Sequence, residues 1–363
     1  MSRRGPNPAQ AGRRWRRPAA LLLSAGLLAF TAAVPADFVP FVRPAGWPKP
    51  AYELRRNPQT PAGFALGRAL FYDPILSRDY STSCASCHSP ATAFTHADHR
   101  TSHGVEGRIG RRNAPTLQNL AWTPAFHWDG GVNNLEVQAV NPLTHPSEMD
   151  FTLDGALARL RAAPAYRARF AQAFGDSAVT GQRLLKALAQ FTVSLQSYNS
   201  RYDQVMRHEP GAAFSEPELQ GLALFRQHCA SCHQEPLFTT NGFANNGLAP
   251  DPYLRDPGRA GITLQPADSF QFRIPTLRNI EFSGPYMHDG RFRTLGQVLR
   301  HYTAGGIRAS ATLAPQLRQP PAFTAAEQRA LLLFLFTLTD KQFLQDPRLN
   351  YVPEAAAAPA AGP

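Results

Sequence analysis

Apolar residues recur along this chain at helical spacing. In "TLDGALARLRAAPAYRARFAQAF" (152–174) and "GQRLLKALAQFTVSLQSYNSRYDQVM" (181–206) they return every three or four positions, which lines one face of a helix. "SEPELQGLALFRQHCASCH" opens with Ser215 followed by Glu218, and "TAAEQRALLLFLFTL" opens with Thr324 followed by Glu327. Both are capping-box signatures, in which the first side chain and the third residue's carboxylate satisfy each other's backbone N–H. The run Leu331–Leu338 is almost wholly apolar, yet too short to span a bilayer, so it predicts a core helix. No stretch alternates like a strand. The pattern predicts an all-α protein.

The N-terminus has a different pattern. Arg3, Arg4, Arg13, Arg14, Arg16 and Arg17 precede an apolar run from Ala19 to Val34, and Ala33 and Ala36 offer small residues for cleavage. This predicts an export signal over residues 1–36, with an uncleaved membrane anchor as the alternative. Removing it takes away six arginines and no acid, so the net charge falls from +11 to +5. That is no nucleic-acid footprint, and the body has no basic run with interleaved aromatics. With 43% hydrophobic residues, 17% charged residues and 33 prolines, the remainder reads as compact helices joined by ordered loops. Residues 353–363 read as a disordered Ala/Pro tail.

All four cysteines lie in two copies of "CASCH", Cys84–His88 and Cys229–His233. An exported protein could pair them as disulfides, and a CxxC could be a redox pair. Neither explains the histidine that ends both copies, and a zinc site would lack a second ligand pair. C-x-x-C-H is the attachment signature of c-type haem: two thiols add to the vinyl groups and the adjacent imidazole meets the iron. Two covalently bound haems are therefore expected, with His88 and His233 as proximal ligands.

Other landmarks repeat in the same order. "RNAPTLQN" (Arg112–Asn119) is echoed by "RIPTLRN" (Arg273–Asn279), and "FHWDGG" (Phe126–Gly131) by "YMHDGR" (Tyr286–Arg291). This is the trace of a duplicated unit. It predicts two cytochrome c-like domains in tandem: 37–205, the N-terminal haem domain, and 206–352, the C-terminal one.

The order CxxCH, RNxPT, WDG, Q, E-M, CxxCH, PTLRN, HDG resembles the bacterial di-haem cytochrome c peroxidases and their MauG-type relatives, from about residue 50 to about 340. The resemblance implies that the N-terminal haem is peroxidatic, with Gln138 and Glu148 over its open face, and that electrons reach it from the C-terminal haem. Glu148 would move a proton between the oxygens of bound peroxide, Gln138 would orient peroxide, and Trp128 would relay electrons. A surface acid beside an N-capping Ser147 is the plainer reading of Glu148. The resemblance also implies a calcium ion on Asn113 and the main-chain carbonyls of Ser283 and Pro285. Expected partners are hydrogen peroxide and a small periplasmic donor such as a cytochrome c or a cupredoxin; a homodimer is compatible with the resemblance.

Two positions depart from the peroxidase pattern. Where the electron-accepting haem has a distal Met, this chain has Tyr302, as MauG-type proteins do; Met287 and His301 are rivals. A phenolate stabilises ferric iron and lowers its potential relative to a thioether. The loop histidine that blocks the first iron in typical peroxidases would align near Val105; His103 is displaced by two, so an open first iron is expected, with His103 as the alternative blocker. His96 and His99 read as loop histidines. Three functions follow: a periplasmic peroxidase, a MauG-like oxidase of a partner protein, or a non-enzymatic electron carrier. Gln138 and Glu148 argue against the last.

Overall fold

The computed structural model describes Met1 and residues 37–350 apart from residue 304. The export segment and the Ala/Pro tail otherwise lie outside the described residues.

Twelve α-helices order the described chain: α1 (Pro61–Tyr72), α2 (Cys84–Cys87), α3 (Val140–Thr144), α4 (Leu153–Ala162), α5 (Pro164–Phe174), α6 (Gly181–Val193), α7 (Arg201–Met206), α8 (Glu216–His228), α9 (Ala260–Thr263), α10 (Leu295–Tyr302), α11 (Ala325–Phe336) and α12 (Lys341–Gln345). The only named strands among the described residues are β1 (Phe243–Ala244) and β2 (Phe272–Arg273), an antiparallel pair with Phe243 opposite Arg273. No described helix is long and apolar enough to cross a membrane.

Two predicted helical runs are interrupted. The 152–174 run breaks at Ala163, whose extended backbone precedes Pro164 at the start of α5. A proline cannot donate to the preceding turn and pushes the residue before it out of helical geometry. The 181–206 run breaks after Val193. There Ser194 turns its hydroxyl back on the Gln190 carbonyl at 3.1 Å, and Ser200 starts α7 by exchanging bonds with Asp203. Hydroxyls that compete for backbone partners favour such breaks. The capping boxes at Ser215 and Thr324 form: Ser215 N–H donates to Glu218 and Thr324 N–H to Glu327, each at 2.8 Å. Ser147 caps nothing; α4 is capped by Thr152, whose hydroxyl accepts from Gly155 N–H at 3.1 Å.

Helices α1 and α6 pack at the centre of a first core with Phe64, Leu70, Phe71, Leu184 and Phe191. Helices α8 and α11 do the same in a second core with Phe225, Phe238, Leu331 and Phe334. Each crossing is closed by a glycine: a Cβ on Gly67 would run into the Ala187 carbonyl, and one on Gly221 into the Ala330 carbonyl. The C-terminal segment belongs to the first core, where Phe343, Leu344 and Leu349 are buried; the Tyr72 hydroxyl donates to the Leu349 carbonyl at 2.7 Å.

The duplication extends to single atoms. Asn119 N–H donates to the Leu195 carbonyl at 2.7 Å, and Asn279 N–H to the Leu338 carbonyl at 3.1 Å. The Asn119 side-chain oxygen accepts from Ser197 N–H at 3.0 Å, and that of Asn279 from Asp340 N–H at 2.7 Å. Both asparagines are left-handed, as are the pairs Phe94 and Phe238, His127 and Met287, and Gly130 and Gly290. In each half a Pro-Thr-Leu turn is thus tied to the C-terminal end of the crossing helix. The halves join through these turns, where Gln118 donates to the Arg278 carbonyl at 2.5 Å and also meets Asn279.

Candidate functional site

The first CxxCH forms the single turn α2, with Cys84 and Cys87 as free thiols. The second follows the end of α8: His233 N–H closes a turn on the Cys229 carbonyl at 2.9 Å, and Cys229 and Cys232 are also free. In both copies the histidine Nδ1 faces backbone carbonyls, His88 that of Phe94 at 2.7 Å, His233 those of Phe238 at 3.2 Å and Pro275 at 3.1 Å. Bonding through Nδ1 fixes the tautomer and leaves Nε2 for a metal. Burial pushes both imidazoles down to about 4, so the rings are neutral, as coordination requires.

The Phe94 and Phe238 carbonyls belong to a feature that the motifs named above do not include. Phe94-Thr95 and Phe238-Thr239 are a repeated dipeptide, fully buried at both phenylalanines. Thr95 Oγ1 donates to the Ala114 carbonyl, and Thr239 Oγ1 to the Ile274 carbonyl at 2.6 Å. Each dipeptide therefore binds its haem-motif histidine to the residue before the Pro-Thr-Leu turn. Its recurrence six residues after His88 and five after His233 was the available signal.

Glu148 lies in the turn between α3 and α4. Its backbone is clamped by His145 O, which accepts Glu148 N–H at 2.9 Å, and by Val105 N–H, which donates to Glu148 O at 2.8 Å. Gly104 packs so closely on this turn that a Cβ would collide with it. The carboxyl is held above its ordinary value by burial, with His145 opposing, and its charge is felt by both Cys84 and Cys87. Gln138 sits on the 3₁₀ turn Val137–Ala139 that enters α3. The His103 carbonyl accepts from the Cys87 thiol at 3.5 Å, and the His103 ring meets His99 with centroids 4.2 Å apart; the His96 and His99 rings stack at 4.9 Å.

Between the halves, the Trp128 indole N–H donates to the Asn113 carbonyl at 2.8 Å, and Arg273 N–H donates to the Trp128 carbonyl at 2.7 Å. His127, beside it, is close enough to depress the His88 imidazole. Arg112 fixes the turn from below, bridging Asp129 at 2.5 Å and Asp256 at 2.6 Å.

Trp128 also lines a cavity of about 240 Å³ around the second motif. Cys229, Cys232, His233, Asn246, Met287 and Tyr302 share it, as do Asn113, Ser283 and Pro285. His301 does not line it; the ring is buried, with Nε2 3.0 Å from the Asn246 carbonyl. Asn113 is buried, donating its N–H to the His288 carbonyl at 2.8 Å and its side-chain amide to the Arg100 carbonyl at 3.1 Å. No group of three or more His, Cys, Asp or Glu suited to a metal ion occurs among the described residues. The Asn113 side-chain oxygen and the carbonyls of Ser283 and Pro285 are donors of the kind calcium accepts.

A family model described as di-haem cytochrome c peroxidase matches residues 61–211. The methylamine utilization protein MauG of Methylorubrum extorquens is 38% identical over 301 residues, covering 82% of this chain and 83% of that protein. The cytochrome c551 peroxidase of Nitrosomonas europaea is 35% identical over 280 residues, 76% of this chain and 80% of that protein. A crystal structure of a MauG-like protein associated with microbial copper homeostasis matches with a TM-score of 0.77 at 33% identity, over 85% of this chain and 97% of that one. Likeness of this degree over most of both chains, on a scaffold that carries the CxxCH motif twice, is enough to conclude that the chain belongs to the family of di-haem cytochrome c peroxidases and MauG proteins, oxidoreductases that act on peroxide.

Proposed function

We propose that this protein is a periplasmic peroxide-reducing enzyme with two covalently attached c-type haems, in which the first half hosts peroxide and the second passes electrons to it. The observation that carries this reading is the position of Glu148: a half-buried carboxyl with a raised pKa, held by backbone bonds beside the thiols that would bear the first haem. A carrier of electrons has no use for such a group.

The residues fit the cofactor. Free thiols three positions apart, followed by a neutral imidazole bonded through Nδ1, are what covalent attachment and axial ligation need. When bound, haem supplies the iron at which the peroxide O–O bond breaks and through which electrons arrive. The chain does the rest. Glu148 takes the proton from one peroxide oxygen and delivers it to the other, so that water and not hydroxide departs. Gln138 orients the peroxide. Trp128, between His127 on the first side and the second cavity, provides the path for electrons. Two electrons and two protons convert each peroxide to two waters. Asn113, with the carbonyls of Ser283 and Pro285, is the proposed calcium site.

A second reading has its own support: Tyr302, not a methionine on α10, faces the second cavity. A phenolate ligand there would make that site a poor acceptor from ordinary donors. The enzyme would then use peroxide to oxidise a partner protein, as a MauG-like enzyme. Steady-state assays separate the readings. A peroxidase oxidises two equivalents of reduced cytochrome c or cupredoxin per peroxide. Peroxide consumption without oxidation of either donor contradicts that role and favours the oxidase.

A further inference from the structure

Asn246 touches all three residues that compete to face the second haem site. Its side-chain amide donates to the Tyr302 hydroxyl at 3.3 Å and to the Met287 sulfur at 3.4 Å. Its backbone carbonyl holds His301 Nε2 at 3.0 Å. The amide cannot easily turn over, because its oxygen already accepts from Leu248 N–H at 3.2 Å. The segment carrying it is also pinned. Asn245 donates to Ser310 at 3.1 Å and Thr312 at 2.8 Å, and Arg308 N–H donates to the Gly247 carbonyl at 2.8 Å.

We propose that Asn246 is a positioning residue that selects Tyr302 as the axial ligand of the second haem against Met287 and His301. This rests on the reading of Tyr302 as that ligand. Its carbonyl engages the histidine nitrogen that would otherwise be free to ligate. Its N–H groups discriminate between the other two. A hydrogen bond to an anionic oxygen is about twice as strong as one between neutral groups, whereas a thioether sulfur is a weak acceptor. The same donor therefore stabilises the phenolate-ligated arrangement more than the thioether-ligated one. Nothing in "FANNGLAP" announces this; in sequence it is only an Asn-Asn-Gly turn.

The test is a titration of the ferric, haem-loaded protein with imidazole, which must displace Tyr302 to bind the second iron. Binding is followed by the low-spin EPR signal of that haem. Asn246→Leu removes the donors at similar size. Asn246→Asp also removes them but keeps an oxygen for Leu248 N–H, so it serves if the first variant folds poorly. Each variant is expected to bind imidazole about five- to tenfold more tightly at the second haem. On a Tyr302→Phe background Asn246→Leu should change nothing. Parental affinity in both variants, or a shift that survives on the Tyr302→Phe background, overturns the proposal and leaves Tyr302 ligation intact. A thioether charge-transfer band in the parent protein would instead remove the Tyr302 reading, and this inference with it.

Discussion

In the proposed mechanism Glu148 is the residue on which the chemistry turns. Burial raises its pKa, and the nearby His145 opposes that rise. The group must be ionised to accept the first proton, so peroxide turnover should rise with pH as Glu148 ionises. The midpoint should lie above the ordinary glutamate value of about 4.3. Glu148→Gln should abolish that limb of the profile and lower turnover by about 10²–10⁴-fold, with both haem spectra unchanged. Near-normal turnover would exclude Glu148 from the proton transfer. Gln138→Ala should cost less, because it orients and does not transfer. The sequence made Glu148 visible only through its place in the motif order, after the WDG segment and Gln138. The turn that buries it, gripped by Gly104 and Val105 from a loop over 40 residues earlier, has no local signature. Asn246 escaped for the same reason: its role arises from contact with Met287 and Tyr302, 41 and 56 positions away.

At the level of elements, the two helix crossings and the two Pro-Thr-Leu turns hold the motif histidines in place. Gly67→Ala and Gly221→Ala each push a methyl into a facing backbone carbonyl that cannot give way easily. Overpacking of this kind costs about 1–3 kcal/mol, and thermal unfolding of the haem-loaded protein should show a lower Tm for both. Unchanged Tm values would mean that the crossings are looser than described. Asn279→Ala strips a buried side chain of its bonds to Gln118, Ser197 and Asp340. It leaves buried partners unsatisfied, a loss of about 1–3 kcal/mol each, and should exceed the effect of either glycine variant. Helix starts at Ser215 and Thr324 were legible because capping is local chemistry. The break at Ser194 was not, since the apolar spacing runs straight through it; the break at Ala163 did carry a local signal, Pro164, which the continuous apolar spacing hid.

For the molecule as a whole, duplication was readable from four cysteines, two Pro-Thr-Leu turns and two aromatic-Asp-Gly turns. It predicted two similar haem sites but not how they join. The return of Phe343 and Leu344 to the first core depends on burial far from their sequence neighbours. Denaturing electrophoresis with haem staining should show two haems retained per chain; a band that loses its haem would refute covalent attachment. The most direct test of the account is EPR spectroscopy, with near-infrared absorption, of the oxidised protein as isolated. One high-spin ferric haem at His88 and one low-spin ferric haem at His233, with an anionic oxygen ligand from Tyr302, are expected. A thioether charge-transfer band, or two low-spin haems with histidine on both faces, would contradict it.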